Sequence, residues 1–92
     1  MTRIKINTLI WDWYNIEHIK KHNVTQSEIE KVAGKIITHK KAKKGRYLIM
    51  GRVGSRILSV AITRKGVGLY YPVMARDSAK KERKVVYEKE KV

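Results

Sequence analysis

The sequence predicts an α+β domain, with an antiparallel sheet, a helical hairpin before it and one helix after it. Three observations carry this. Residues 12–22 and 25–34 each combine a helix start signal with apolar residues at helical spacing. Residues 47–74 are a succession of β-prone runs punctuated by glycine-bearing turns. The tail from Asp77 again reads as a helix. Ninety-two residues hold one domain, spanning 1–92, with a small core and little stability margin.

In chain order, Ile4, Ile6, Thr8 and Ile10 share one parity against Arg3, Lys5, Asn7 and Leu9. That predicts a strand with the isoleucines buried. Asp12 is the N-cap of a helix running to about His22, with Ile16 and Ile19 inward and Trp13 or Tyr14 packing beside them. Trp11 and Trp13 are read as core and staple; the alternative, for an exposed aromatic beside cations, is stacking on nucleic-acid bases. Asn23-Val24 interrupts the helix, and Thr25-Gln26-Ser27-Glu28 is a capping box. Ile29, Val32 and Ala33 supply the second helix's apolar side, and Gly34 suits a left-handed C-terminal position. A strand starts within 35–38; runs 47–50 and 57–63 form a hairpin around 51–56; 65–68 turns into 69–74. Pro72 has no N–H to donate, so its strand is at an edge there or bulged. The helices are expected on one sheet face, with polar groups on the other.

The charge narrows the function classes. Lys and Arg number 22 against 8 Asp and Glu, a net charge of +14. Self-repulsion of that size destabilises a compact chain, and an acidic partner offsets it. Basic residues are spread over several elements instead of one amphipathic helix, which favours nucleic acid over a membrane surface. The absence of cysteine removes disulfides and thiolate chemistry. No secretory signal is predicted, so Asn23-Val24-Thr25 is read as a chance sequon and the location as cytoplasmic. No cofactor is expected, because no phosphate-binding or dinucleotide-binding glycine loop is present. His18 and His22 have metal-ligand spacing but no telling third ligand, so no metal site is predicted.

The stretch from Met74 to Tyr87 gathers the reactive groups. Arg76 falls where a strand ends, with Asp77 expected to cap the helix that follows. Arg83 and Tyr87 are four apart on that helix, and Glu82 adds a carboxylate. Such a set suits a phosphodiester; it also describes a solvated helix end. The run 40–46, with Lys43, Lys44 and Arg46, is either a solvated turn or a source of sequence-independent phosphate affinity. Arginine, lysine, histidine, glutamate and tyrosine suffice for metal-free RNA cleavage. The 2′-OH attacks phosphorus, a base takes its proton, cations hold the added charge, and an acid protonates the leaving oxygen. Read without a family, the residues describe a basic nucleic-acid-binding α+β domain.

Several segments, in order, resemble the BrnT toxins, relatives of the RelE-like ribonucleases of toxin–antitoxin systems. They are Trp11-Asp12; Lys21-His22-Asn23-Val24 leading into Thr25 to Glu28; Ile49-Met50-Gly51-Arg52; Leu58-Ser59-Val60-Ala61-Ile62-Thr63; and Ala75-Arg76, Glu82-Arg83 and Tyr87 at the end. The resemblance implies a RelE-like fold, metal-independent endoribonuclease activity, and a cognate antitoxin, typically a small ribbon-helix-helix DNA-binding protein through which the pair reaches operator DNA. It implies that Arg76 and Arg83 hold the phosphate, that Tyr87 and His22 are candidates for proton transfer, and that Lys21 positions phosphate. Glu82 is a candidate base or a structural ion pair. Tyr71 departs from the pattern, standing where the family has an arginine; Arg52 and Arg64 are candidates to replace that cation from a neighbouring strand. Asn23 replaces a family glycine, and 35–44 is basic where the family is acidic. Alternatives to the toxin are a non-catalytic nucleic-acid binder and a docking module for an acidic partner.

Overall fold

The computed structural model describes residues 4–91; Arg3, at the start of the predicted first strand, lies outside them. The elements are β1 (Thr8–Leu9), α1 (Trp13–Lys20), α2 (Gln26–Gly34), β2 (Thr38–Lys41), β3 (Arg46–Val53), β4 (Arg56–Gly66), β5 (Leu69–Asp77) and α3 (Lys80–Glu90). They form one five-stranded sheet in the order β1-β5-β4-β3-β2. The expected antiparallel sheet is therefore mixed, because β1 pairs parallel to β5 while the other pairs are antiparallel.

β1 is shorter than the alternation predicts, and its buried residue is Leu9, of the opposite parity. Only Thr8 and Leu9 pair with β5, and before them the Asn7 and Thr8 amides both donate to Gly68 O at the β4–β5 turn. The chain thus crosses that turn before it enters the sheet, and Ile4 and Ile6 end half-buried against the core.

Both helix starts are made as the sequence predicts. Asp12 Oδ1 accepts from the Asn15 amide and Asn15 Oδ1 from the Asp12 amide. Thr25 and Glu28 make the same reciprocal pair. Two readings need correction. Asn15 is buried beside Ile19, while Trp13 and Tyr14 face solvent. The reason is polar: the Asn15 side-chain amide donates to Ile10 O and Pro72 O, at 2.9 and 3.1 Å, and an aromatic there would leave both carbonyls unmatched. Trp11 packs partly against the core and donates to Glu30. Gly34 closes α2 without a left-handed turn: it is not among the residues at positive φ, and Lys35 (φ −148°, ψ 76°) is the cap that follows it. Asn23 does take a left-handed conformation, at φ 58°.

The helices cover both sheet faces, not one. Leu58, Val60 and Ile62 of β4 point into the core under α1 and α2. Ile57 and Ala61 point the other way, into a smaller cluster with Leu48, Met50 and Val86 of α3. A strand buried on both faces reads as a continuous apolar run, as 57–62 does. Each such Val, Leu, Ile or Met side chain contributes about 1.5–3 kcal/mol by leaving water. Gly51 lets α2 approach β3, since a Cβ there would lie 3.1 Å from both Lys35 O and Val32 Cγ1. Pro72 sits at a register shift in the β4–β5 ladder, past the point where β1 stops. None of the described helices is long and apolar enough to cross a membrane.

Asn15→Ala removes the group that links α1 to β5. It is expected to lower stability by about 2 kcal/mol, read as a lower urea midpoint at unchanged slope. A loss below about 0.5 kcal/mol would mean the two carbonyls need no partner.

Candidate functional site

At the end of β5 the chain leaves the sheet and, after two intervening residues, starts α3. Asp77 does not cap that helix. It is the last residue of β5, and its carboxylate accepts from Arg56 Nε at 3.1 Å. Arg56 also donates to Glu28 Oε2 and Asn23 O, so one guanidinium ties the α1–α2 turn, α2 and the end of β5 together. The cap is Ala79, which has no side-chain acceptor; the exposed α3 amide at Ala79 is satisfied by Glu82 Oε1 at 2.8 Å.

Glu82 gathers more than that amide. Arg76 reaches it with a two-pronged ion pair, Nη1 to Oε1 at 2.8 Å and Nη2 to Oε2 at 3.0 Å. Ser59, fully buried on β4, donates to Oε1 at 2.8 Å and shares a hydrogen bond with buried Ser78. The Arg76 fork, with the Ala79 amide and the Ser59 hydroxyl behind it, holds the carboxyl down at about 2 against the opposing effect of burial. A carboxylate this acidic is a weak proton acceptor at neutral pH. Its geometry makes it an anchor for Arg76 and α3.

Arg83 and Tyr87 meet one turn further on. With Lys80, Lys81 and Lys84 they line a groove of about 440 Å³ along α3. Arg83 donates from Nη1 to Ser78 O at 2.9 Å, which fixes its stem and leaves its other donors toward the groove. Arg52 approaches Tyr87 from β3, with its guanidinium 6.0 Å from the Tyr87 ring centre and a two-pronged pair to Glu90 at 2.8 Å. That pairing raises Arg52 and lowers Glu90 from their ordinary values. Arg76 stands behind this group, at the N-terminal end of α3, and does not line the groove.

The other predicted residues divide by position. Lys21 and His22 are exposed in the turn after α1, at the end of the sheet that Arg56 ties to Asp77. Lys43 and Lys44 lie in the β2–β3 turn, and Arg46 begins β3 opposite Thr63. Thr63 is four residues along β4 from Ser59, about 13 Å at the strand rise, so this group is at the far end of the sheet. Arg64 is there too, donating to Gly66 O. Arg52 rather than Arg64 therefore stands beside Tyr87, although it does not line the α3 groove itself. Tyr71 belongs to the far end as well. Its hydroxyl donates to both Asp12 oxygens at 3.0–3.1 Å, and burial, then Asp12, raise its phenol.

Arg56, Ser59 and Ser78 escaped the sequence reading. Only Ser59 carried a local signal, as a lone hydroxyl in the apolar run 57–62. Arg56 looked like a turn cation, because its partners are 21 to 33 residues away. Among the described residues no group of three or more His, Asp or Glu could hold a metal ion. Comparisons of the chain with protein families, curated proteins and solved structures find no match.

Because Glu82 titrates at about 2 when folded and near 4.5 as a free carboxyl, its pairing stabilises the fold fully above pH 4.5. That stabilisation is lost as pH falls from 4.5 toward 2. Glu82→Gln is expected to cost about 2 kcal/mol at pH 7 and to flatten the stability curve across that window. Urea unfolding of both proteins from pH 2 to 7 checks this; parallel acid limbs would refute it.

Proposed function

We propose that the chain is a metal-independent endoribonuclease of the RelE-like, BrnT-like type, acting in the cytoplasm as the toxin of a toxin–antitoxin pair. The observation that carries the reading is the groove in which Arg83, Tyr87, Lys80 and Lys84 converge, with Arg52 over the Tyr87 ring. A net charge of +14 supports a polyanionic substrate. The ordered motifs support the same reading, as does a helical hairpin placed before a largely antiparallel sheet and a last helix.

In this reading Arg83 holds the scissile phosphate through its planar fork and stabilises the charge that builds as the 2′-OH attacks. Lys80 and Lys84 hold flanking phosphates. Tyr87 is within the same groove and transfers a proton, to or from the ribose or leaving oxygen, under the field of Arg52. Arg76 acts from behind, either by keeping α3 seated through Glu82 or by turning to the phosphate once RNA offers a competing anion. His22 and Lys21 border the β5 end and contact RNA that extends past the groove. The partner is a small ribbon-helix-helix antitoxin with an acidic segment, and operator DNA is reached only through that complex.

A second reading, a nucleic-acid binder without catalysis, is favoured by one observation. Tyr71 replaces a family arginine and is engaged with Asp12, so no cation reaches the phosphate from that strand position.

Purified protein is incubated with unstructured RNA in EDTA. Cleavage leaving 2′,3′-cyclic phosphate ends is expected, with Arg83→Ala at least tenfold slower. Salt-sensitive RNA binding without cleavage favours the second reading; neither binding nor cleavage removes both.

A further inference from the structure

Trp13 is 77% exposed and Tyr14 59%. An aromatic ring left in water forgoes a large burial term, so two adjacent ones on a helix call for an occupant. The surroundings say which way they face. Ile16 and Lys20 of α1 turn toward α2, sharing a hollow with Val24 and Gln26. Tyr14, His18 and His22, each four residues apart, lie on the flank turned away from α2. Their rings follow one another along the helix. The centres of Tyr14 and half-buried His18 are 6.1 Å apart with planes within 18°, and those of His18 and His22 are 6.5 Å apart with planes tilted by 55°. Trp13 meets Tyr14 edge-on at 6.0 Å.

The row follows β5. At one end Asp12, just before α1, accepts from Tyr71; at the other, Arg56 links Asn23 O to Asp77. β1 pairs with β5 only at Leu69 and Tyr70, so among the described residues no strand lies beside the outer edge beyond Tyr70. The rings flank that edge and run toward the β5–α3 end.

We propose that Tyr14, His18 and His22, with Trp13 at the start, form a stacking track for the bases of an unpaired RNA strand. Every base has a face that stacks on tyrosine, tryptophan or imidazole, so such a track needs no sequence. With ring centres 6.1 Å apart and planes within 18°, Tyr14 and His18 present similarly oriented faces on which successive bases can stack. The row is one ring wide and each ring carries a polar atom, unlike the broad apolar centre of a protein interface. The surplus of 14 positive charges complements a phosphate backbone and supplies the affinity that stacking alone lacks. The track itself is argued from α1; only its use as an approach to the β5–α3 end rests on the ribonuclease reading.

The test uses the full chain with Trp11→Phe, which leaves Trp13 the only tryptophan. It is titrated with end-labelled 2′-O-methyl oligouridylate, which lacks the nucleophile for cleavage, and with an abasic 2′-O-methyl phosphodiester of equal length. Quenching of Trp13 by the uridylate but not by the abasic chain is expected. In the otherwise natural chain, Trp13→Ala with Tyr14→Ala should weaken uridylate binding about tenfold or more and change abasic binding less than twofold. Both positions are exposed, and circular dichroism checks that the variants fold. Unchanged Trp13 emission at saturation, or equal losses for the two oligomers, would overturn the proposal. Because neither oligomer can be cut by 2′-OH attack, an inactive enzyme leaves this result readable, and a failed track leaves the cleavage assay readable.

Discussion

The Glu82 carboxylate is the point on which the second face of this protein depends. It satisfies the amide of Ala79, the N-cap of α3, grips Arg76 at the end of β5 and takes the hydroxyl of buried Ser59. Three elements are thereby fixed to one group, where the apolar contribution is small: among the described residues only Val86 of α3 is buried. A helix with one buried apolar residue needs polar anchoring to hold its register. Here that anchoring also sets where Arg83 and Tyr87 point, since Arg83 is steadied on Ser78 O, within the same network.

Most of the chain's scarce acids are used in the same way. Asp12 takes the Tyr71 hydroxyl and caps α1, Glu28 and Asp77 share Arg56, Glu30 takes the Trp11 indole, and Glu90 takes Arg52. Apart from the Asp12 cap and the local Glu17–Lys20 pair, these bonds join elements distant in sequence. The acids thus act as structural pins and neutralise little of the surface. The lysines of α3 and of the β2–β3 turn remain as an outward field, and that field is what a polyanion would meet first.

How much of this was legible depended on whether the signal was local. Thr25 and Glu28 are three residues apart and make their capping box as read. Asp12 caps α1 for the same reason. Pro72 had to sit where a ladder bond was missing, and it does. The misreadings came from partners far along the chain. Asp77 had the right type and place for a cap, but Arg56 claims it from 21 residues away. Trp13 and Tyr14 looked like core because they are large and apolar, yet the inward position goes to Asn15, which answers a carbonyl 57 residues away.

The candidate site follows the same division. Helical spacing alone placed Arg83 and Tyr87 on one side of α3, because four residues along a helix bring side chains together whatever surrounds them. The charge, the β-prone middle of the chain and the hairpin of helices were likewise written in composition and period. Which cation joins that pair was a tertiary matter. Register across β3 and β4 puts Arg52 under α3 and carries Arg64 and Arg46 to the far end of the sheet. The split of the helices between two sheet faces was also decided there, because both faces of β4 are apolar and each needs its own cover. Arg76 was legible as a cation at the end of a strand; its engagement by Glu82 needed α3 to fold back over Ser59, which no run of neighbouring residues encodes.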